Sequence, residues 1–202
     1  MVTKFSSKIL FVILIFFILH SHNVLGQNDR ETWQPPEQIM DSIGVKPGMI
    51  IGEAGAGQGY FTFHLAKRVG GKGKVYANDI SESGLDEIRL RAVRENIKNI
   101  ITVLGETEDP LFPNKNLDLI IMVYVFHHLE KPLEFMENLQ KYIKAETQIV
   151  IIERNTNTDR EHYPSFMSKK QISEVIEKTN FKLERIQTFL PNDAIYIYKL
   201  KD

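Results

Sequence analysis

A glycine-rich turn and a distant acid are the residues of this sequence whose types and spacing most clearly permit chemistry. The turn, residues 53–59, reads Glu-Ala-Gly-Ala-Gly-Gln-Gly and lies between an apolar run and an amphipathic stretch. Glycines at such a strand-to-helix turn let the backbone approach a ligand, while the N–H groups of the helix face it. Asp79 ends the next apolar run, where a carboxylate can accept hydrogen bonds from both hydroxyls of a ribose. Together, the turn and Asp79 predict a ligand that contains a nucleoside.

The spacing of the glycines and the acid before them narrow the kind of ligand. A dinucleotide-binding turn carries its glycines as G-x-G-x-x-G, whereas Gly55, Gly57 and Gly59 alternate in this chain. The carboxylate of Glu53, just before them, suits a cationic amino group and would be repelled by a pyrophosphate. This pattern disfavours a nicotinamide-dependent oxidoreductase. The remaining alternatives are a tight turn that binds nothing and, for Asp79, a helix N-cap.

Two adjacent histidines, His127 and His128, follow the most apolar run of the sequence. Ligands of α/β proteins bind at the carboxyl ends of such strands, and a histidine there can take a proton from a hydroxyl or an amine. His127 is therefore our candidate catalytic base. The alternative is that one histidine packs and hydrogen bonds while the other lines the pocket. Because neighbouring residues of a strand point to opposite faces, the pair is not expected to bind a metal ion.

Short apolar runs that alternate with amphipathic stretches position these residues, and they predict an α/β layered fold with right-handed crossovers. Residues 190–193 alone separate the last two predicted strands, which permits an antiparallel hairpin but no parallel crossover. The predicted strands comprise residues 49–53, 74–79, 100–104, 117–125, 148–152, 181–189 and 194–200. The predicted helices comprise residues 37–43, 60–69, 84–96, 132–143 and 169–179.

The helix over residues 84–96 is predicted from its cap and its apolar periodicity. Ser83 directly precedes it and is expected to cap its N-terminus. Its apolar side chains recur at helical spacing, so one face is expected to point inward. That face comprises Leu85, Ile88, Ala92 and Val93.

At these motifs the sequence resembles the class I S-adenosylmethionine-dependent methyltransferases. Residues 53–59 resemble the E/D-x-G-x-G-x-G signature of the family, with Glu where Asp is common, and Asp79 matches its ribose-binding acid. Residues 105–108 resemble its third-strand loop, and residues 117–120 with the run ending in His-His-Leu resemble its fourth-strand motif. The resemblance covers roughly residues 31–200 and is strongest toward small, cap-less members with a Trp-Gln-Pro-Pro-like leader.

The resemblance implies a Rossmann-like, doubly wound α/β fold with a mostly parallel seven-stranded sheet and a C-terminal antiparallel hairpin. It also implies that S-adenosyl-L-methionine is the cofactor, with an acid and a backbone N–H of the third-strand loop holding its adenine. The implied cofactor-binding residues are Glu53, Gly55, Ala56, Gly57, Gly59, Tyr60, Asp79, Ile80, Glu106, Thr107 and Val123.

The activity that the resemblance implies is methyl transfer from S-adenosylmethionine to an unidentified small-molecule acceptor. The sulfonium methyl is already activated, so the protein mainly aligns the reactants and excludes water. An acceptor of high pKa would also need a base, for which His127 is the candidate. The formal net charge of −1 gives no reason to expect a nucleic-acid partner. The absence of cysteine excludes a cysteine nucleophile, a disulfide and a thiolate metal site.

The first 26 residues differ in kind from the rest of the chain. Lys4 and Lys8 precede an unbroken apolar run over residues 9–19, and Val-Leu-Gly ends the segment, which is the layout of a secretory signal peptide. The run is shorter than the about 20 residues of a membrane span. We therefore interpret residues 1–26 as a signal peptide and residues 27–202 as the methyltransferase domain, exported to the periplasm or secreted. One alternative is that this segment remains as an uncleaved N-terminal anchor. Unless it does, no membrane partner is expected. The alternative for function is an exported module that binds the cofactor or another nucleoside without catalysis.

Overall fold

The structure, a computed structural model, describes residues 30–155 and 165–202. The chain divides into two compact units, Met1–Pro35 and Pro36–Asp202. In the described part of the first unit, the guanidinium of Arg30 donates to Oε1 of Gln34, and the Gln34 N–H donates to the Arg30 carbonyl. The predicted signal peptide, residues 1–26, lies outside the described residues and stays a prediction. Within the described ranges, no helix has the length and apolar character that a membrane crossing requires.

The second unit is built around a seven-stranded sheet with helices on both of its faces. The strands are β1 (Ile50–Ala54), β2 (Lys74–Asp79), β3 (Ile100–Leu104), β4 (Leu117–Val123), β5 (Ile143–Arg154), β6 (Phe181–Gln187) and β7 (Asp193–Leu200). The α-helices are α1 (Pro36–Ser42), α2 (Tyr60–Val69), α3 (Glu82–Arg94), α4 (Pro132–Leu139) and α5 (Lys169–Ile176), and 3₁₀ helices cover Phe126–His128 and Gln140–Tyr142.

The strand order is β3-β2-β1-β4-β5-β7-β6. Strands β1 to β5 pair in parallel, and β7 is antiparallel to both β5 and β6. This arrangement confirms the predicted Rossmann-like, mostly parallel sheet with a C-terminal antiparallel hairpin. The order reverses between β1 and β4, and open α/β sheets bind ligands outside the carboxyl ends of the strands at such a reversal.

The central strand β4 is buried on both of its faces, as its continuous apolar run predicts. Leu119 and Ile121 belong to the apolar cluster that includes residues of α1 and α2. Ile120 and Met122 belong to the opposite cluster, which includes residues of α4 and α5. The two clusters pack against opposite faces of the sheet, and this close packing fixes the carboxyl ends of β1 and β4 relative to each other.

Strands β4 and β5 differ in length from the sequence prediction. Strand β4 ends at Val123 rather than at residue 125, because the backbone enters the left-handed region at Tyr124 (φ 59°) and then forms a 3₁₀ helix. Strand β5 begins at Ile143, a residue predicted to lie in the helix before it. Ile143 pairs with Leu117, and an irregularity in register follows before Leu119 pairs with Gln148.

Helix α3 differs from the prediction at its cap and on its inward face. The N-cap is Ser81, not Ser83, and its side chain accepts a hydrogen bond from the Gly84 N–H at 3.3 Å. Leu85 and Ile88 are buried as predicted, but Val93 is 82% exposed. The helix covers the sheet at its β2–β3 edge, so a narrower stripe of its surface is buried than on a helix over the sheet centre.

Candidate functional site

A cavity of about 340 Å³ lies at the carboxyl ends of β1, β2 and β4, within the range typical of small-ligand sites. One part of its wall is polar and the other is apolar. The polar part contains Asn78, Asp79, Glu106, Thr107, Tyr124, His128 and Glu130. The remainder contains Gly55, Ile80, Val125, Leu129 and Phe135.

The glycine turn holds a backbone conformation that other residues rarely adopt. Gly55, Gly57 and Gly59 have φ angles of 75°, 54° and 86°, all in the left-handed region that favours glycine. A Cβ atom at Gly55 would lie 2.2 Å from the Val125 side chain, whereas a Cβ at Gly57 would meet nothing within 4 Å. The Ala56 N–H donates to the Asn78 carbonyl at 2.8 Å, which ties the turn to β2. The turn therefore presents open space at Gly57 and close packing at Gly55.

Asp79 is fixed by backbone donors on both of its carboxylate oxygens. Oδ2 accepts from the Gly57 N–H at 2.7 Å, and Oδ1 accepts from the Ser81 N–H at 2.9 Å. A carboxylate has about four acceptor positions, so Asp79 retains capacity for hydroxyl donors of a ligand in the cavity. The N-cap alternative for Asp79 is wrong, because Ser81 caps α3.

Six of the residues predicted to contact the cofactor are not among those that line the cavity: Glu53, Ala56, Gly57, Gly59, Tyr60 and Val123. Glu53 lies in β1, is 3% exposed and accepts a hydrogen bond from the Thr62 hydroxyl at 2.6 Å. Tyr60 begins α2 with its ring against His64, and Val123 ends β4. The cavity wall brings together the predicted residues Gly55, Asp79, Ile80, Glu106 and Thr107. Gly57 joins them through its hydrogen bond to Asp79.

The loop after β3, which carries Glu106 and Thr107, is anchored by Asp109. The Glu106 N–H donates to the Asp109 carbonyl at 2.8 Å, and the Asp109 carboxylate accepts from Lys141 at 2.7 Å and from the Tyr142 hydroxyl at 2.6 Å. Burial opposes ionisation of Asp109, but the hydrogen bonds from Lys141 and Tyr142 hold its pKa below the usual range. The loop is therefore held against the 3₁₀ turn that follows α4.

Asn78 lines the cavity, although the sequence did not single it out. Its side-chain amide donates to the carbonyls of Val103 and Pro110, at 3.2 and 2.9 Å. It thus joins β2 to both ends of the loop that carries Glu106. The sequence signal that could have identified Asn78 is its polar side chain next to Asp79, at the end of an apolar run.

His127, the candidate base, is buried beside a carboxylate. Its Nδ1 lies 2.9 and 3.0 Å from the two carboxylate oxygens of Glu153, and its side chain is only 4% exposed. Its ring contacts those of His128 and Phe166, with centroid distances of 3.9 and 4.0 Å. His128, not His127, lines the cavity.

The sequence predicted that the two histidines point to opposite faces of a strand, and this prediction is wrong. They lie on the 3₁₀ helix Phe126–His128 rather than on a strand, and the tighter backbone turn brings their rings together. Across residues 30–155 and 165–202, no group of three or more His, Asp or Glu side chains is arranged to hold a metal ion.

The pKa values of the buried pair shift in opposite directions. Burial lowers the pKa of His127, which favours a neutral ring. Burial also raises the pKa of Glu153 to about 7, although backbone N–H groups of His127 and Phe126 partly oppose this shift. Both shifts arise because charge is poorly solvated at the carboxyl end of β5.

A second carboxylate, Asp193, holds the tyrosine that follows β4. The Tyr124 hydroxyl donates to Oδ1 of Asp193 at 2.5 Å, and the Arg154 guanidinium lies 3.4 Å from the same oxygen. Sequence reasoning missed Tyr124, Glu153 and Asp193. Their proximity depends on the antiparallel pairing of β5 with β7, in which Arg154 lies opposite Asp193, and no local pattern marks it.

Comparison with solved structures extends the likeness beyond the site. A S-adenosylmethionine-dependent methyltransferase from Aquifex aeolicus superposes with a TM-score of 0.79 at 25% identity, covering 85% of this chain and 93% of that one. A putative type 11 methyltransferase from Sulfolobus solfataricus gives a TM-score of 0.65 at 21% identity, covering 84% and 93%. The second likeness concerns the fold alone.

Among curated relatives, a ubiquinone/menaquinone biosynthesis C-methyltransferase from Hydrogenovibrio crunogenus is 27% identical over 133 residues, which cover 65% of this chain and 52% of that protein. A ubiquinone biosynthesis O-methyltransferase from Rickettsia bellii is 28% identical over 148 residues, which cover 63% of this chain and 60% of that protein. This chain thus spans between half and two thirds of the length of these two relatives.

A family model described as a methyltransferase domain matches residues 45–192, which include the glycine turn, Asp79 and both histidines. The match confirms the resemblance read from the motifs, and with the Aquifex structure it confirms S-adenosylmethionine as the cofactor of the family. The residues that line the cavity fit that cofactor, since a fixed carboxylate, a polar loop and an apolar wall surround the glycine turn. This chain therefore belongs to the methyltransferase domain family.

Proposed function

We propose that this chain transfers a methyl group from S-adenosylmethionine to a small-molecule acceptor. The observation that carries the proposal is the cavity in which the glycine turn, the fixed carboxylate of Asp79 and the Glu106–Thr107 loop meet at the carboxyl ends of β1, β2 and β4. Family membership supports it. The names of two curated relatives, both methyltransferases of which this chain spans 52% and 60%, also support it.

Each part of the site has a role in holding the cofactor. Asp79 would accept the ribose hydroxyls, and the Glu106–Thr107 loop would hold the adenine between its polar groups and the apolar wall. Glu53, buried at the end of β1, would attract the cationic amino group through the glycine turn. When bound, S-adenosylmethionine supplies a methyl group on a positively charged sulfur, an electrophile that needs no further activation. The residues of the chain then have to orient the acceptor, exclude water and take up its proton.

The acceptor that we propose is a small molecule whose nucleophilic atom carries a proton. The cavity has the size of a small-ligand site, and the net charge of −1 offers no electrostatic attraction for a polyanion. The names of the two curated relatives refer to ubiquinone and menaquinone biosynthesis, so quinols and other hydroxylated aromatics form the first panel to test. His127, next to the cavity-lining His128, is the candidate base.

Isothermal titration calorimetry tests the cofactor assignment directly. We expect S-adenosylmethionine and S-adenosylhomocysteine to bind and NAD not to bind. Binding of NAD alone would overturn the proposal. Release of S-adenosylhomocysteine, measured by mass spectrometry with each member of the quinol panel, then tests methyl transfer. Cofactor binding without product across the panel would instead favour the nucleoside-binding module.

We also propose that the domain is exported, with residues 1–26 as the signal peptide. The short basic start and the apolar run support this location. The location also supports the non-catalytic alternative, because S-adenosylmethionine is made in the cytoplasm. Cell fractionation with N-terminal sequencing of the mature protein tests it. A cytoplasmic chain that retains residue 1 would overturn it, and a membrane-bound, uncut chain would establish the anchor.

A further inference from the structure

The carboxylate of Glu153 is completely buried, and removing a carboxylate from water costs free energy. Its side chain is 0% exposed, and burial raises its pKa to about 7. Replacing a buried ionisable pair with apolar residues is often neutral or stabilising. Shifted groups of this kind cluster at functional sites. Glu153 is thus a group whose presence calls for a functional explanation.

The contacts of Glu153 restrict His127 to one orientation. Both carboxylate oxygens lie within 3.0 Å of Nδ1, and the His127 backbone N–H also donates to Oε1 at 3.3 Å. The rings of His128 and Phe166 also contact the His127 ring, each tilted by about 40° to it. No group in the described part of the chain hydrogen bonds to Nε2 of His127. The nitrogen on the far edge of the ring is therefore the one left for chemistry.

Other ionisable groups face this pair from the elements around it. Electrostatic interaction with His128, on the same 3₁₀ helix, lowers the pKa of Glu153, and the interaction with Asp193 on β7 raises it. Tyr196, also on β7, has a pKa raised by burial and by the charge of Glu153. Arg154 follows Glu153 in β5 and directs its guanidinium toward Asp193. Glu153 and His127 thus form one proton-binding unit within a larger charged cluster.

We propose that Glu153 is a positioning residue, which holds His127 with its proton on Nδ1 so that Nε2 can take the proton of the methyl acceptor. This inference rests on the proposed function and deepens it. The hydrogen bond from Nδ1–H to the carboxylate selects the tautomer with a free lone pair on Nε2. The acceptor X–H bond breaks, its electron pair stays on X, and its proton goes to Nε2. The resulting imidazolium is stabilised by the Glu153 carboxylate and later releases the proton to water.

The protonation of Glu153 then decides whether His127 is a base. A protonated carboxyl donates to Nδ1, which places the ring proton on Nε2 and removes the acceptor lone pair. The base-competent form therefore appears as the pH rises through the titration of the pair near pH 7.

The Glu153→Gln variant provides a directional test of the tautomer. Oε1 accepts the backbone N–H of His127, so the amide oxygen of Gln is expected to take that place. The amide NH₂ then occupies the site of Oε2, 2.9 Å from Nδ1 in the native protein, and donates to it. A proton on Nδ1 would then face the amide N–H as well as the amide oxygen, so the variant is expected to shift the proton toward Nε2, the reverse of the native tautomer.

The experiment is ¹⁵N-edited NMR of the histidine rings in the full chain across pH 5.5–9, a range that brackets the Glu153 pKa of about 7. In the native protein at the alkaline end we expect Nδ1 of His127 protonated and Nε2 unprotonated. In Glu153→Gln we expect the reverse. Glu146→Gln, which changes an exposed acid of the same strand, is the matched control and leaves His127 unchanged.

The outcomes separate this inference from the proposed function. A native His127 with its proton on Nε2 at alkaline pH overturns the positioning role, whether or not Glu153→Gln folds. The same tautomer in native protein and Glu153→Gln also overturns it, because a structural role alone leaves the ring unchanged. Neither measurement needs the cofactor, so a failure of S-adenosylmethionine binding would reject the function without altering these spectra.

Discussion

Replacement of Asp79 by alanine is the sharpest test of the cofactor site. The carboxylate is held by the N–H groups of Gly57 and Ser81, at 2.7 and 2.9 Å, with acceptor capacity left for ribose hydroxyls. A hydrogen bond to a charged group contributes about 1.5–3 kcal/mol. Its loss corresponds to a roughly ten- to hundredfold weaker Kd, since each 1.4 kcal/mol is about tenfold. We expect calorimetry with S-adenosylhomocysteine to show a loss of this size in Asp79→Ala.

The same variant also releases the glycine turn from β2, so the loss has to be divided between two causes. A thermodynamic cycle with S-adenosylhomocysteine and its 2′,3′-dideoxy analogue makes the division. If Asp79 binds the ribose, removing the hydroxyls weakens binding to the native protein but has little further effect on Asp79→Ala. Asp86→Ala is the matched control, because this exposed acid of α3 pairs with Arg89 and does not line the cavity.

Two results would refute the ribose assignment. One is an unchanged Kd for S-adenosylhomocysteine in Asp79→Ala. The other is an equal loss from the dideoxy analogue in native protein and variant, which would mean that Asp79 and the ribose do not interact. In the second case Asp79 would only support the turn, and thermal unfolding of Asp79→Ala would show the corresponding loss of stability.

Three further predictions concern stability, each measured by urea unfolding. Gly55→Ala combines a φ of 75° with a Cβ contact of 2.2 Å, so we expect the free energy of unfolding to fall by more than about 1–2 kcal/mol. Gly71→Ala, whose Cβ would meet nothing within 4 Å, is the control and is expected to be nearly neutral. Equal effects of the two substitutions would contradict the turn geometry. Ile120→Ala, at 0% exposure, is expected to lower the free energy of unfolding by about 2–5 kcal/mol, and Val93→Ala, at 82% exposure, by less than about 0.5 kcal/mol. A large loss in Val93→Ala would show that Val93 is buried, as its spacing predicted. Because the folded pKa of Glu153 is raised from 4.5 to about 7, native stability falls as the pH rises through this window, and Glu153→Gln should remove up to about 3 kcal/mol of that fall; parallel pH profiles would show that the carboxyl is not shifted.

The glycine turn and Asp79 were predictable because their signals are local. The left-handed φ angles at Gly55, Gly57 and Gly59 require glycine whatever the rest of the fold does. The apolar run before the turn marks β1, and the acid at the end of the next run marks the end of β2. Parallel pairing of these strands then brings Asp79 beside the turn, as its hydrogen bond to Gly57 shows.

Predictions that depended on the surroundings of an element were less accurate. Val93 has the spacing of an inward residue, but periodicity does not tell how wide a stripe of the helix the sheet covers. Ile143 continues the apolar face of α4 in sequence, yet pairing with Leu117 draws it into β5. Strand β4 ends early because the chain turns at Tyr124, a residue whose positive φ no sequence signal indicates.

By itself, the sequence determined which segments of the chain form strands and helices, where the glycine turn lies and that Asp79 ends the second strand. These depend on backbone preferences and periodicities that neighbouring residues set. Only the tertiary structure decided that His127 lies against Glu153 and that Tyr124 lies against Asp193. These partners are distant in the chain, and parallel pairing of β4 with β5 and antiparallel pairing of β5 with β7 bring them together in a region that water does not solvate. Burial there shifts the pKa of the carboxyl, so its chemical character is a property of the fold rather than of the residue type.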